Sequence, residues 1–157
     1  METYIEIDGW QTNIRFSSAH VIPEYEKCGR LHGHTYAIHA KIWGKRDKNG
    51  IVVDFSVIKN VLRKIAKELD HRVIIPKEYD GVKIKEESVE LENNGKKYVF
   101  PKEDCVILPI NSSSAENLAE YVLQRVLNEI STKGMKEIEI GVDEGFGQGA
   151  RLRRKLE

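Results

Sequence analysis

Alternation of hydrophobic and polar residues predicts β-strands in the first part of the chain. Residues 3–20, TYIEIDGWQTNIRFSSAH, mix β-branched and aromatic residues with alternation, and VIPEYEKCGR then breaks the pattern with proline and charge. We therefore predict a strand that ends at His20 and is followed by an irregular loop. Residues 34–44, HTYAIHAKIWG, alternate again, and the turn sequence at 48–50 before IVVDF indicates a β-hairpin.

Helical periodicity is present in two later segments. In DFSVIKNVLRKIAKELDH the apolar residues recur at helical spacing, and Asp54 or Ser56 is available as the N-cap. In SSAENLAEYVLQRVLNEI, Ser113 and Glu116 stand three residues apart, as in a capping box. We predict that the first helix ends near Asp70 and that STKG closes the second.

The remaining segments predict one more strand, an insertion and a tail. KEIEIGVDEG alternates, so Glu144 ends an otherwise apolar row on one strand face. Residues 72–106 are interpreted as an insertion in which VELENNGKKYVF forms a hairpin about an Asn-Gly turn. The charged residues from about 147 to 157 are interpreted as a tail. Residues 1–157 are expected to form a single domain.

Composition narrows the class of partner. The 157 residues include 25 Lys and Arg and 25 Asp and Glu, which gives no overall attraction toward nucleic acid or an anionic membrane. A small polar substrate or a protein partner is therefore favoured. The first twenty residues lack a basic start followed by an apolar run, so we expect a soluble cytoplasmic protein. Cys28 and Cys105 are far apart in sequence and are expected to be free thiols.

The segment EKCGRLHGHTY carries the clearest chemical signal. His32 and His34 are two residues apart in or entering a strand, so their side chains leave on the same side. His20, at the end of the preceding strand, can supply a third nitrogen. Three histidines around zinc leave an open position for water or substrate, which is the catalytic pattern. The alternative is that these are histidines of the surface or core without a metal.

Cys28 has two possible roles beside such a metal. It could be a fourth ligand that closes a structural zinc site, or a free thiol that moves protons. The positive charges of Zn²⁺, Lys27 and Arg30 would favour the thiolate, which makes a base available. Cys105, within an apolar stretch, is better interpreted as a buried apolar residue.

Other polar residues allow a structural and a functional interpretation. A histidine such as His71 is common at the end of a helix, and Asp70 could orient it only if the backbone leaves helical geometry there. Glu144 is either a solvated acid at a strand end or a carboxylate that meets the N–H donors of a ligand. His39 lies on the strand face opposite His34, has no predicted polar cluster around it, and is interpreted as an ordinary sheet residue.

Six motifs occur in one order: FSSAH, CGRLHGHTY, VVDFSVIK, ELDHR, SSSAENLAEYV and VDEG. Together they resemble the 6-pyruvoyltetrahydropterin synthase and 6-carboxytetrahydropterin synthase family over most of the chain outside 72–106 and the tail. The resemblance implies an α+β tunnelling fold, or T-fold, an antiparallel sheet with two helices packed on one face. It also implies that three subunits close a barrel, that two trimers stack into a homohexamer, and that active sites lie between subunits.

The resemblance assigns roles by motif position. The residues that it implies as Zn²⁺ ligands are His20, His32 and His34. The residues that it implies as the proton-abstracting base and a second acid–base pair are Cys28, Asp70 and His71. Glu144 would anchor the N–H edge of a pterin ring through charge-assisted hydrogen bonds. The residues that match the helix start lining the pterin pocket are Ser114, Ala115 and Glu116.

The substrate that the resemblance implies is 7,8-dihydroneopterin triphosphate. Three residues separate Cys28 from His32, which resembles the carboxy enzymes of the deazapurine (queuosine and archaeosine) pathway, so we favour the carboxy product with release of acetaldehyde and triphosphate. The pyruvoyl product is the alternative within the family. A zinc-stabilised oligomeric binding module without turnover is the alternative outside enzymes. The insertion, and a glycine after Glu144 where a hydroxyl residue is usual, depart from the family pattern.

Overall fold

Two amphipathic helices cover one face of a β-sheet in the computed structural model, which describes residues 1–156. The α-helices are α1 (Phe55–Leu69) and α2 (Ala115–Glu129), and a short 3-10 helix spans Lys102–Asp104. The strands are β1 (Thr3–Ile7), β2 (Arg15–His20), β3 (His32–Gly44), β4 (Arg72–Pro76), β5 (Val82–Ile84), β6 (Ser88–Asn93), β7 (Lys96–Pro101), β8 (Cys105–Leu108), β9 (Met135–Glu144) and β10 (Gly149–Lys155). No helix within residues 1–156 is both long and apolar enough to cross a membrane.

The main sheet has the strand order β10-β9-β3-β2-β4-β8, with β1 paired to the second half of β3. Pairs within β10-β9-β3-β2 are antiparallel, as predicted, but β2–β4 and β4–β8 are parallel. α1 ends beside β2, where the Asp70 carboxylate accepts a hydrogen bond from the Ser17 amide at 2.8 Å. β4 begins directly after this contact and pairs with β2 at Ser18 and Ala19.

The helices begin at side-chain caps and bury their apolar stripes against the sheet. Asp54 caps α1 by accepting a 2.8 Å hydrogen bond from the Ser56 amide. Ser114 caps α2 by accepting from the Asn117 amide at 3.2 Å, so the predicted capping box of Ser113 and Glu116 was wrong. Ser113 is instead fully buried. The core residues that α1 contributes are Ile58, Leu62, Ile65, Ala66 and Leu69.

The predicted hairpin after β3 was also wrong. The partner of this end of β3 is β1, with Ile5 opposite Ile42. Residues 48–50 do form a turn, because the Asp47 carboxylate accepts hydrogen bonds from two backbone amides there. The chain after the turn makes no strand; Val52 and Val53 instead pack against the core on the way to α1.

The insertion and the tail differ from their predicted bounds. The strand at 72–76 belongs to the main sheet, so the separate part begins after Pro76 and consists of the small sheet β5-β6-β7. Its hairpin about the Asn-Gly turn is present as predicted. The tail prediction was wrong for Gly149–Lys155, which pairs with β9. The arginines of β10 make its sequence look like a charged segment and not a strand. They pair with acids of β9, as Arg153 does with Glu139 at 2.7 Å.

Replacing Leu62 with alanine tests the packing of α1 on the sheet. Leu62 is fully buried, so Leu62→Ala is expected to lower the free energy of unfolding by about 2–5 kcal/mol. Lys67→Ala, an exposed position on the same helix, is the control and is expected to change it by less than about 0.5 kcal/mol. Urea unfolding at one fixed protein concentration measures both. If both variants lowered the free energy of unfolding equally, the described packing of α1 on the sheet would be contradicted.

Candidate metal centre and adjoining cavity

The register of two strands brings the histidine side chains of the predicted metal site together. His20 is paired directly with His32 across β2 and β3, and His34 follows on the same face of β3. The three rings lie nearly edge to face, with centroids 4.6–5.2 Å apart, so their nitrogen atoms converge. One nitrogen from each ring lies within 4.8 Å of the other two.

Hydrogen bonds fix which nitrogen each ring offers. Nδ1 of His20 lies 2.9 Å from the Ser113 carbonyl oxygen, and Nδ1 of His32 lies 2.7 Å from the Arg30 carbonyl oxygen. A carbonyl can only accept, so both Nδ1 atoms carry the proton and both Nε2 atoms present a lone pair. These two Nε2 atoms are 3.0 Å apart, and the Nε2 of His34 is buried without a hydrogen-bond partner.

A cation fits this donor set. Lone pairs that face each other repel, and a buried nitrogen without a partner is costly, unless all of them bind one positive ion. Nitrogens bound tetrahedrally at about 2.0–2.1 Å are about 3.3 Å apart, close to the 3.0 Å between the Nε2 atoms of His20 and His32. The second-nitrogen hydrogen bonds to carbonyls are the usual support of a metal-binding histidine. The three histidines could therefore hold a metal.

Burial favours the neutral, metal-binding form of two of the rings, His20 and His34. It lowers the pKa of His20 to about 4, and burial also lowers the pKa of His34. Tyr36 lies below the cluster, with its hydroxyl 3.3 Å from Nδ1 of His20. Burial raises the pKa of Tyr36, so its hydroxyl stays neutral.

A cavity of about 370 Å³ adjoins the cluster and collects the other residues predicted near the pterin. Cys28 lies on one side of it, in the loop between β2 and β3. Glu144 lies at the end of β9, and its Oε2 is 3.6 Å from Nε2 of His34. Glu144 thus borders both the cavity and the histidines. The further lining residues are Ile22, Tyr25, Ser112, Ser114, Ala115, Glu116, Gln148 and Gly149.

The structure explains the glycine that follows Glu144 and distinguishes the two cysteines. Gly145, where a hydroxyl residue is usual, has a φ of +76°, a left-handed conformation that favours glycine in the turn from β9 to β10. Cys105 is buried, and burial raises the pKa of its thiol to about 11, whereas Cys28 is exposed. Both thiols are free, so Cys28 is the cysteine available at the cavity.

Asp70 and His71 do not line this cavity; His71 borders a second one, which His34 of the cluster also lines. The backbone leaves helical geometry at the end of α1, with a φ of +59° at His71, and Nδ1 of His71 is 3.0 Å from Asp70 Oδ2. Burial alone would raise the pKa of Asp70, but hydrogen bonds from Ser17 and His71 hold it below its usual value. The His71 side chain is 83% exposed and borders a second cavity of about 710 Å³. Among residues 1–156, the two cavities share no lining residue.

His39 was interpreted wrongly as a residue without a polar cluster. Its Nδ1 accepts a hydrogen bond from the Gly9 amide at 2.9 Å, and its Nε2 donates to Asp143 at 2.8 Å. Asp143 also accepts from the Trp10 indole and from Arg151. An acid within an apolar strand was the available signal, but its partners are up to 133 residues away in sequence.

Comparison with known proteins gives consistent matches. A family model described as 6-pyruvoyl tetrahydropterin synthase matches residues 10–155. A Methanocaldococcus jannaschii protein, provisionally named 6-carboxy-5,6,7,8-tetrahydropterin synthase, is 36% identical over 159 residues, covering 98% of each chain. A Rickettsia felis 6-carboxy-5,6,7,8-tetrahydropterin synthase is 31% identical over 121 residues, covering 74% of this chain and 78% of that one. The Plasmodium vivax 6-pyruvoyltetrahydropterin synthase structure has a TM-score of 0.90 and 30% identity, covering 99% of each chain.

Removing one ring of the cluster should remove the metal. His32→Ala leaves two converging nitrogens, so bound divalent metal is expected to fall from about one ion per chain to well below one. His71→Ala is the matched control because its ring is exposed and lies outside the cluster. Elemental analysis after equilibration with metal and gel filtration measures both. Full occupancy in His32→Ala, or loss of metal in His71→Ala, would contradict the assignment of the cluster.

Proposed function

Because the chain belongs to the 6-pyruvoyl tetrahydropterin synthase family, we propose that it is a zinc-dependent 6-carboxy-5,6,7,8-tetrahydropterin synthase. Its proposed substrate is 7,8-dihydroneopterin triphosphate, and its products include acetaldehyde and triphosphate. The observation that carries the proposal is the convergence of His20, His32 and His34 beside the cavity that contains Cys28 and Glu144.

The proposed metal is Zn²⁺, held by His20, His32 and His34. A set of three neutral imidazoles suits zinc and leaves a position open for substrate. When bound, zinc would supply Lewis acidity to the hydroxyl groups of the substrate side chain. The Ser113 and Arg30 carbonyls orient two of the rings through their Nδ1 protons, which keeps each Nε2 directed at the ion.

Glu144 and Cys28 would act on the pterin itself. The Glu144 carboxylate, 20% exposed, can accept two N–H bonds from the edge of a pterin ring. The Ser114–Glu116 segment at the start of α2 would line the same pocket. Cys28, across this cavity, would remove a proton from the side chain of the bound pterin.

The second acid–base group, Asp70 with His71, would come from a neighbouring copy of the chain. Within one chain His71 and Cys28 border different cavities, and the His71 ring is largely exposed. A homo-oligomer, as a hexamer built from two trimers, would bring His71 of one copy to Cys28 of another. Asp70 would hold the ring through its Nδ1 and leave Nε2 free to transfer a proton.

The carboxy product is favoured by two observations. Three residues separate Cys28 from His32, and the relatives from M. jannaschii and R. felis carry the carboxy name. The pyruvoyl product is the second candidate, because the P. vivax structure that bears that name covers 99% of both chains at a TM-score of 0.90. A binding module without turnover is the third, and the retention of Cys28, Asp70 and His71 argues against it.

Product analysis separates these candidates. The zinc-loaded protein is incubated with 7,8-dihydroneopterin triphosphate, and the products are identified by mass spectrometry. We expect a carboxy-pterin and acetaldehyde. A pyruvoyl-pterin would move the assignment to the second candidate, and unchanged substrate would contradict both enzyme assignments.

Mixed oligomers test whether two chains form each site. Cys28→Ala and His71→Ala are each expected to keep zinc and assembly but lose turnover. Co-expressed in equal amounts, they should regain about a quarter of wild-type activity, because random assembly places an intact Cys28 opposite an intact His71 at one site in four.

The control is co-expression of Cys28→Ala with the double variant Cys28→Ala/His71→Ala, which has no intact Cys28 and should stay inactive. No recovery in the first mixture would mean that both residues act from the same chain. If Cys28→Ala instead loses its zinc, Cys28 is a ligand and the proposed role for it is wrong.

A further inference from the structure

The loop that carries Cys28 has little regular structure of its own. It connects β2 to β3 over residues 21–31 and contains no strand or helix. The Ile22 amide donates a 2.9 Å hydrogen bond to the Cys28 carbonyl, which closes the loop on itself. At Gly29 an added Cβ would lie 1.8 Å from the Tyr25 carbonyl oxygen, so the loop is folded tightly against its own backbone.

The tip of the β6–β7 hairpin holds this loop from outside. Asn93, the last residue of β6, is 4% exposed, and its side-chain oxygen accepts from the Glu24 amide at 2.9 Å. The same side chain donates through Nδ2 to the Gly29 carbonyl at 3.2 Å. The next residue, Asn94, donates through Nδ2 to the Tyr25 carbonyl at 3.1 Å. Two consecutive amides therefore bind the loop backbone on both sides of Cys28.

The base of the hairpin is attached to the main sheet, so the tip is a firm support. Val89 of β6 is fully buried in a small apolar cluster with Ile75 of β4 and Cys105 of β8. The carboxylate of Glu90, also on β6, forms ion pairs with Lys85 and Lys97 on either side of it. Together these contacts join the loop, through the hairpin, to the strands that carry the fold.

We infer that the β6–β7 hairpin is a brace for the Cys28 loop and that Asn93 is the positioning residue through which it sets the thiol against the cavity. The catalytic consequence rests on the proposed function, but the brace itself does not. A proton-transfer group displaced by about 1 Å can lose on the order of 100-fold in rate. The separate sheet within the predicted insertion thus contributes to the active site without touching the substrate.

Replacing Asn93 tests the inference in two independent ways. Asn93→Ala removes both of its bonds to the loop, so hydrogen exchange of peptides covering residues 21–31 is expected to rise about tenfold, while strands β3 and β9 keep their protection. In the zinc-loaded enzyme, kcat is expected to fall about tenfold or more and KM to stay within about twofold, because Glu144 and the start of α2 are unchanged. Zinc content should not change.

A second variant and a control make the result interpretable. Asn94→Gly removes the bond to Tyr25 but keeps the turn, because Asn94 has a φ of +52° that glycine adopts readily. Asn94→Gly is expected to raise hydrogen exchange in the loop and to lower kcat, each by less than Asn93→Ala does. It provides the test of the brace if Asn93→Ala does not fold. Asn128→Ala, an exposed amide on α2, should alter neither measurement.

Unchanged exchange in the loop of both hairpin variants would overturn the brace. Faster exchange with an unchanged kcat would overturn the positioning of Cys28. If wild-type protein turns over no pterin, the proposed function fails, and hydrogen exchange still decides whether the hairpin braces the loop. The two failures are therefore distinguishable.

Discussion

The pairing of β2 with β3 is the constraint on which the candidate site depends. Because His20 stands opposite His32 in this ladder, and His34 is two residues further along the same face, the strands bring the three rings together, and the loop carbonyls of Ser113 and Arg30 set the orientation of two of them. A shift of this register by one residue would turn His32 and His34 to the other face of the sheet. The rest of the fold supports this register: β9 completes the sheet on the other side of β3, and α1 and α2 cover the apolar face beneath the cluster.

Local features of the site were predictable because their signals are local. The spacing of His32 and His34 and the end of α1 at Asp70 follow from sequence neighbours, and both have the predicted geometry. The cap of α2 was misassigned because consecutive serines offer the same local signal. The structure gives the cap to Ser114 and directs the carbonyl of Ser113 to His20, a residue distant in sequence.

Features that depend on distant partners were not predictable from patterns. The arginine-rich final strand resembles a charged tail until its partners on β9 are known, because its polar side chains are satisfied there by Asp143 and Glu139. The polar surroundings of His39 have the same origin. The parallel pairing of β4 with β2 joins segments about fifty residues apart, which no short segment of sequence specifies.

On the proposed function, His71 and Cys28 act from different cavities of the chain, and this has a consequence for how the protein responds to dilution. The three histidines come from one chain, so the proposed metal site would need only that chain to be folded. On the proposed function, proton transfer also needs His71 from a second chain and so depends on subunit concentration. Diluting the protein until its subunits dissociate would leave a folded, metal-loaded chain that has no catalytic activity. Subunit association would thereby act as the on-switch for turnover, separate from the supply of zinc.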